Sequence, residues 1–251
     1  AVKKRLMSDV PLGAFLSGGL DSTLVVGLMR RLMPNQDIKT FSIGFEGDDR
    51  FDETAYAQLA ADRFKTVHKV FTLTPQSFDL AERLVFHHDQ PFGDSSAIPT
   101  FVLSELTRSQ VTVALNGDGG DELFSGYDRF QAMLAAEQLP RLVRQVATGI
   151  AHALPAGNNQ RALWARGIRF LRAAGLPASQ RYFQWVSLMR NPHDWLSSSQ
   201  MSFQLPEDFR ELDAPQGTLL QALLRLNFEH YLPGDLNVKT DRCTMAHGLE
   251  A

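Results

Sequence analysis

The feature that most constrains the fold is an alternation of short apolar segments and amphipathic segments through the first half of the chain. Segment 10–16 is typical of a short buried strand, and further strands are predicted at 38–44, 67–73 and 111–115. Amphipathic segments at 22–32, 52–64, 75–88 and 99–108 predict helices. Because strands separated by helices form βαβ units, we predict an α/β fold with an open, mainly parallel sheet flanked by helices.

The second half of the chain carries helical patterns instead of strand patterns. Beyond about Tyr127, helices are predicted at 161–174, 178–188 and 218–231. We therefore divide the chain into an α/β part, 1–126, and a mostly helical part, 127–251. A single cysteine, Cys243, excludes an intrachain disulfide, a cysteine-based zinc site and an iron–sulfur cluster. It also fits a reducing compartment, so we expect a cytoplasmic protein.

A glycine-rich loop follows the first predicted strand and opens the next predicted helix. Its sequence is Ser17-Gly18-Gly19-Leu20-Asp21-Ser22. Backbone N–H groups at a helix N-terminus favour an anion, and the two serines add hydroxyl donors. Asp21 suits such a site if a metal ion accompanies the phosphate. The loop is neither a Walker A loop nor the dinucleotide fingerprint, and the alternative is a tight turn with capping serines.

An acidic, glycine-rich segment, 116–127, follows the fourth predicted strand. It begins Asn-Gly-Asp-Gly-Gly-Asp-Glu. Because the carboxyl ends of parallel strands meet at one edge of a sheet, we expect this segment beside the first loop. Acidic side chains beside a phosphate loop suggest metal ligation. A Gly/Asp turn with acidic helix capping is the alternative.

These segments resemble those of a known family. The Ser17–Ser22 run resembles the pyrophosphate loop of the N-type ATP pyrophosphatases, which have an adenine nucleotide α-hydrolase-like fold. Segments 116–127 and 236–251 resemble two motifs of the glutamine-dependent asparagine synthetases, with weaker matches at 40–45, 51–53 and 94–100. The resemblance implies a synthetase domain, and we expect the glutaminase domain and the C-terminal end of the family to lie outside this chain.

The resemblance also implies a chemistry, with ATP and Mg²⁺ as cofactors. ATP would adenylate the side-chain carboxylate of aspartate, giving β-aspartyl-AMP and pyrophosphate, and ammonia would then give asparagine and AMP. The implied nucleotide-binding residues are Phe15, Ser17, Gly18, Gly19, Asp21, Ser22, Ile43 and Gly117. The implied metal ligands are Asp21 and Asp121. The implied catalytic residues are Asp118, Lys239 and Arg242, and the aspartate pocket would include Asp94, Ser95 and Ser96.

Two positions depart from the family pattern and keep alternatives open. Arg242 stands where a lysine is common in relatives, and Asp118 where many have glutamate. The alternatives are another carboxylate-adenylating amidotransferase, a β-lactam synthetase-like enzyme, or a non-catalytic nucleotide-binding fragment. The expected partners are aspartate, ammonia from a glutaminase domain and a second copy in a homodimer, with no membrane.

Arginines are concentrated in one segment of the helical half. Residues 138–193 contain eight arginines and no Asp, Glu or Lys, although the whole chain has a net charge of −3. One interpretation is a solvated helical face, or a face that meets another domain. The other is a nucleic-acid surface. We favour the first, because related tRNA-modifying enzymes that transfer sulfur need more cysteines than this chain has.

Overall fold

The computed structural model of the chain describes residues 1–46, 52–74, 80–155, 163–187 and 205–251. Two compact units are present: Ala1–Gly120 with His230–Ala251, and Asp121–Glu229. This division differs from the predicted boundary between 126 and 127, because the C-terminal residues rejoin the α/β unit. Local residue patterns do not predict that 230–251 packs with the α/β unit, because that packing depends on contacts between distant parts of the chain.

A four-stranded sheet is the centre of the first unit. Its strands are β1 Leu12–Phe15, β2 Lys39–Phe45, β3 Val67–Leu73 and β4 Val113–Leu115. They are arranged in the order β3-β2-β1-β4, and each pairing is parallel. The predicted α/β class with a parallel sheet is therefore confirmed, and each predicted strand overlaps an observed one.

The strand order creates a switch point between β1 and β4. The chain passes from β1 to β2 on one side of β1, whereas β4 pairs with its other side. The register matches Leu12 with Val113 and Ala14 with Leu115, so the two strands end at the same edge. Open α/β sheets bind ligands at this position, beyond the carboxyl ends of the strands.

Helices make up most of the remaining described residues. In chain order they are α1 Val2–Arg5, α2 Leu20–Leu32, α3 Thr54–Phe64, α4 Ala81–His88, α5 Ala97–Arg108, α6 Gly120–Phe124, α7 Asp128–Gln138, α8 Arg141–Ala153, α9 Leu163–Ala174, α10 Ala178–Val186, α11 Glu207–Arg210, α12 Leu219–Leu226 and α13 Asn237–Met245. A 3₁₀ turn, Glu211–Asp213, precedes α12, and a π-helix, Asn227–Leu236, joins α12 to α13. In the described ranges, no helix is long and apolar enough to cross a membrane.

The core of the first unit lies between the sheet and its helices. Val26 and Met29 of α2 are fully buried in one cluster with Ala14 of β1 and Ala57 of α3. The small alanine side chains of α3 allow that helix to lie close to its neighbours. A second cluster joins Phe101 of α5 to residues of α4 and α13. The C-terminal helix is thereby fixed within the α/β unit.

The second unit has its own aromatic core. Phe130, Met133 and Leu223 are fully buried in one cluster with Tyr182. Burial raises the pKa of Tyr182, whose hydroxyl donates to Asn227 Oδ1 at 2.8 Å. Each large apolar side chain buried in this way contributes about 1.5–3 kcal/mol of transfer free energy. The helical half therefore has enough apolar burial to pack as a unit of its own.

Two predicted helices end differently from the observed ones, and two others lie partly outside the described residues. The helix predicted at 218–231 ends as an α-helix at Leu226 and continues as a π-helix. The one predicted at 178–188 ends at Val186. Parts of two others, 75–79 and 161–162, lie outside the described residues, and the described helices are Ala81–His88 and Leu163–Ala174.

Candidate active site

The loop after β1 forms a compact network of hydroxyl groups at the start of α2. Ser17 Oγ lies 3.0 Å from Ser22 Oγ, and the backbone N–H of Gly19 donates to Ser17 Oγ at 3.2 Å. Ser22 is buried, whereas Ser17 and Gly19 are exposed. The first N–H groups of an α-helix have no partner within the helix, so this end of α2 favours an anion.

Gly18 fits this loop because no side chain can occupy its position. Its φ is +86°, in the region where residues with a Cβ are strained. A Cβ there would lie 2.5 Å from the backbone nitrogen of Ala57 and 2.6 Å from Tyr56 Cβ in α3. The glycine therefore lets the loop pass directly over α3.

The loop after β4 lies against the loop after β1, as predicted. A Cβ on Gly117 would be 2.9 Å from the backbone nitrogen of Ser22 and 3.2 Å from Asp21 Cβ. A Cβ on Gly120 would collide with the Asp21 carboxylate. Glycine at both positions brings the two backbones together, so the predicted nucleotide-binding residues of the two loops are in contact.

The carboxylate of Asp118 is held by two side chains. Thr240 Oγ1 donates to Asp118 Oδ2 at 2.8 Å, and Asn116 Nδ2 donates to the same oxygen at 3.1 Å. Oδ1 has no hydrogen-bond partner among the described residues. Thr240 is buried on α13 and was not among the residues predicted from the sequence. Its position directly after Lys239, in a segment already matched to the family, was the available signal.

Lys239 is buried and bound by two of the residues predicted for the aspartate pocket. Its Nζ lies 3.0 Å from Asp94 Oδ2 and 2.9 Å from Ser96 Oγ. The backbone N–H and the hydroxyl of Ser96 each donate to Asp94 Oδ1 at 2.8 Å. The sequence assigned these residues to two separate roles, and the structure joins them in one polar cluster.

The electrostatics of this cluster keep Asp94 ionised. Burial alone raises the pKa of Asp94, but the bonds from Ser96 and the charge of Lys239 outweigh it, and the pKa is lowered. An ammonium group has three N–H donors, and the described residues use two of those of Lys239.

The other predicted site residues have different surroundings. Phe15 is half-buried at the end of β1, and Ile43 is half-buried in β2. Ser95 is exposed. The guanidinium of Arg242 is half exposed and lies 3.5 Å from the carboxylate of Asp241. No contact of Arg242 with the loops of the switch point is observed in the described part of the chain, so its assignment to phosphate binding stays a prediction.

Asp121 belongs to the second unit, where it lies in α6. The backbone N–H of Gly126 donates to its carbonyl oxygen at 3.1 Å, and a Cβ on Gly126 would collide with its carboxylate. Next to it, Glu122 is buried and accepts a hydrogen bond from the hydroxyl of Tyr127. The joint use of Asp21 and Asp121 as metal ligands stays a prediction.

The chemistry of Asp21 fits a magnesium ligand. Its carboxylate makes no hydrogen bond or ion pair with the described residues, and Asp21 lies in the first turn of α2, with its carboxylate close to Gly120. Mg²⁺ in proteins commonly takes one or two carboxylates and completes its shell with substrate phosphates and water. Among those residues, no group of three or more His, Cys, Asp or Glu side chains is arranged to hold a metal.

A parallel sheet with a glycine–serine loop and an acidic loop at its switch point is typical of α/β proteins that bind a ligand at the sheet edge. Comparison with known proteins gives the family: the model for asparagine synthase matches residues 1–251, and the chain belongs to that family.

Individual relatives agree with this assignment. The chain is 52% identical over 128 residues to a putative glutamine-hydrolysing asparagine synthetase 2 of Methanocaldococcus jannaschii, covering 51% of this chain and 24% of that protein. It is 28% identical over its full length to the glutamine-hydrolysing asparagine synthetase 1 of Bacillus subtilis, covering 39% of it. The amidase chyE of Penicillium rubens is 33% identical over 60% of this chain and 26% of its own length. The chain thus spans well under half of these relatives.

Proposed function

We propose that this chain carries out the ATP-dependent, amide-forming part of asparagine synthesis. The single observation that carries the proposal is the apposition of the two loops at the β1–β4 switch point, in a chain of the asparagine synthase family. A carboxylate is a poor acyl donor, and adenylation converts one of its oxygens into a good leaving group. The proposed substrates are ATP, aspartate and ammonia.

The reaction has two balanced steps. An oxygen of the aspartate β-carboxylate attacks the α-phosphorus of ATP, the bond to the β-phosphate breaks, and pyrophosphate leaves. Ammonia then attacks the acyl carbon of β-aspartyl-AMP, loses a proton, and expels AMP to give asparagine. Because most of the charge moves onto the departing phosphates, catalysis depends mainly on positioning and on electrostatic stabilisation.

The residues of the switch point fit the phosphate side of this reaction. Ser17, Ser22 and the free N–H groups of α2 bind the pyrophosphate, and Gly117 allows the nucleotide to approach the backbone. Phe15 and Ile43 flank the adenine. Asp21 and Asp121 are the carboxylates proposed to hold Mg²⁺, which would supply positive charge to the phosphate oxygens.

The residues around α13 fit the part of the reaction that takes place at the aspartate carboxylate and the acyl carbon. Lys239 uses its remaining donor to stabilise negative charge on a substrate oxygen, with Asp94 and Ser96 fixing its position. Asp118 presents Oδ1 to the acyl intermediate while Thr240 holds Oδ2. Arg242 adds a cation near the phosphates.

The cellular compartment, the source of ammonia and the oligomeric state are also proposals. A single buried cysteine suits a reducing cytoplasm. Ammonia comes from a glutaminase domain, as the glutamine-hydrolysing names of the relatives suggest. A homodimer is the proposed assembly, and sedimentation equilibrium of the chain tests it.

A second candidate is amide formation on a carboxylate other than that of aspartate. The aspartate at position 118 favours it, because its shorter side chain reaches less far than the glutamate of many relatives. The relative from Penicillium rubens, named as an amidase, also differs from the synthetases in name. Replacing aspartate by other carboxylic acids in the same assay distinguishes the two candidates.

Isotope transfer tests the proposed chemistry. The chain is incubated with ATP, Mg²⁺, ammonium and aspartate labelled with ¹⁸O in its side-chain carboxylate, and AMP is analysed by mass spectrometry. We expect one ¹⁸O atom in AMP for each asparagine formed, because the attacking oxygen stays on the phosphorus. Unlabelled AMP with asparagine formation would exclude the adenylate, and label transfer only from another acid would select the second candidate.

A further inference from the structure

The second unit contains a cavity that the proposed reaction does not use. Its volume is about 500 Å³, within the range of roughly 300–1,000 Å³ typical of small-molecule sites. Residues of α7, α8, α9 and α10 line it. All of them belong to the second unit, whereas the two loops of the switch point belong largely to the first.

The lining of this cavity is strongly basic. Four arginines and one aspartate contribute side chains, so the formal charge of the lining is +3; they are Arg129, Arg166, Arg169, Arg172 and Asp128. The aspartate pairs with Arg166 at 2.7 Å. Both partners are more than half exposed, and such a pair is weak enough for a doubly charged anion to compete with it.

The guanidinium of Arg172 is fixed at this cavity by two backbone carbonyls. Its Nε donates to the carbonyl of Ala151 at 3.0 Å and its Nη2 to that of Leu154 at 2.6 Å, at the C-terminal end of α8. Both acceptors are neutral carbonyls, so these bonds fix the guanidinium without cancelling its charge. A guanidinium has five N–H donors, and two are used here.

The lining also contains an apolar part, which is a pair of aromatic side chains. Phe170 and Trp185 stack with ring centroids 5.7 Å apart and an interplanar angle of 23°. The indole nitrogen of Trp185 is buried and has no hydrogen-bond partner in the part of the chain that the structure describes. Since buried N–H groups in native proteins nearly always have an acceptor, this donor suits an acceptor atom of a bound ligand.

We propose that this cavity binds a small phosphate monoester that carries a ring. A phosphate monoester has a charge near −2, which matches the basic lining, and its oxygens fit the planar donor pattern of guanidinium groups. Its ring packs on the wall formed by Phe170 and Trp185. The site goes beyond the proposed synthetase function, and its lining shares no residue with the two loops that would bind ATP.

Calorimetric titration of the full chain tests the proposal. The probes are uridine 5′-monophosphate, uridine and inorganic phosphate. We expect saturable binding of the nucleotide and much weaker binding of the other two. Trp185→Phe keeps a ring and removes the N–H, and Arg166→Gln removes one charge. Each raises Kd about tenfold, the effect of losing one charge-assisted hydrogen bond.

Matched variants exclude other sites and general damage. Trp164→Phe alters an exposed tryptophan outside the cavity, whose N–H bonds the carbonyl of Pro155, and Arg210→Gln alters an exposed arginine of α11. Ser17→Ala alters the loop at the switch point. All three leave the Kd for the nucleotide unchanged. If circular dichroism shows that Trp185→Phe does not fold, Arg166→Gln alone tests the proposal, because the half-exposed side chain of Arg166 can be replaced without disturbing the core.

Four results would overturn the proposal. They are no saturable binding of uridine 5′-monophosphate, equal binding of uridine or of phosphate alone, an unchanged Kd in both cavity variants, and a raised Kd in Ser17→Ala. Salt-sensitive binding of a short single-stranded RNA without binding of the mononucleotide would assign the arginines to nucleic acid instead.

Discussion

The ion pair between Lys239 and Asp94 predicts a measurable coupling free energy. Lys239 is only 8% exposed, and its Nζ lies 3.0 Å from Asp94 Oδ2. Removing one member of a buried pair typically costs about 3–5 kcal/mol, because the other charge is left without a partner. Asp94 would keep its two hydrogen bonds from Ser96, so we expect a loss of about 2–3 kcal/mol for Lys239→Met.

A double-mutant cycle isolates the pair from the packing of the lysine stem. The cycle uses Lys239→Met, Asp94→Asn and the double variant, with unfolding free energies from urea titrations. We expect a coupling free energy of about 2 kcal/mol at neutral pH. The exposed Lys3→Met serves as the matched control and changes stability by less than about 0.5 kcal/mol.

The pH dependence gives the cycle an independent check. The pKa of Asp94 is lowered in the folded state, so its contribution to stability is present above its unfolded pKa, near 3.8. That contribution is lost as the pH falls through the folded pKa. The coupling is therefore constant from about pH 5 to 7 and declines below about pH 4. A coupling under about 0.5 kcal/mol, or one that grows at low pH, would refute the reasoning.

Three further predictions concern backbone space, thiol chemistry and a second buried charge. We expect Gly18→Ala to lower the free energy of unfolding by about 2–4 kcal/mol, because a Cβ at φ +86° meets the backbone of α3. Gly149→Ala in α8 is the matched control and raises it by about 0.5–1 kcal/mol, because no atom lies within 4 Å of the added Cβ. Burial raises the pKa of Cys243 to about 12, so the folded chain does not react with a chromogenic aromatic disulfide at about pH 8, and reacts fully in urea. Glu137→Gln loses about 3 kcal/mol, because it leaves the fully buried Arg181 guanidinium, 2.9 Å away, without its carboxylate.

Each of these predictions has a contradicting result. Equal stability changes for the two glycine variants in chemical denaturation would show that the loop is not confined by α3. Rapid thiol reaction in the native state would place Cys243 at the surface. A loss for Glu137→Gln no larger than that of the exposed Glu207→Gln would show that Glu137 does not neutralise the buried guanidinium.

Local patterns were sufficient to predict the sheet. The first strand is a short apolar run that ends in a glycine-rich turn, with Ala14 and Leu16 buried before Ser17-Gly18-Gly19. The patterns were insufficient at the end of α12. There the buried side chain of Asn227 donates to the carbonyl of Leu223 at 2.7 Å and competes with the regular ladder. The chain continues as a π-helix through Pro233, which lacks the N–H that a regular α-helix needs.

The candidate site was predictable only in part. The contact between the two glycine loops follows from the parallel sheet, because the carboxyl ends of its strands share an edge. The cluster of Lys239 with Asp94 joins residues 145 positions apart, and no local spacing encodes it. Thr240 was missed for the same reason, since its partner Asp118 is 122 positions away. Long-range polar contacts of this kind depend on the folded chain.

Aspartate-dependent exchange of labelled pyrophosphate into ATP tests the central claim most directly. The assay reports adenylate formation alone and needs no ammonia. With Mg²⁺ present we expect exchange only when aspartate is added, loss of that exchange in Asp21→Asn, and its retention in Asp37→Asn, which alters an exposed residue before β2. ATP binding without exchange in the presence of aspartate, or exchange that survives Asp21→Asn, would contradict the account.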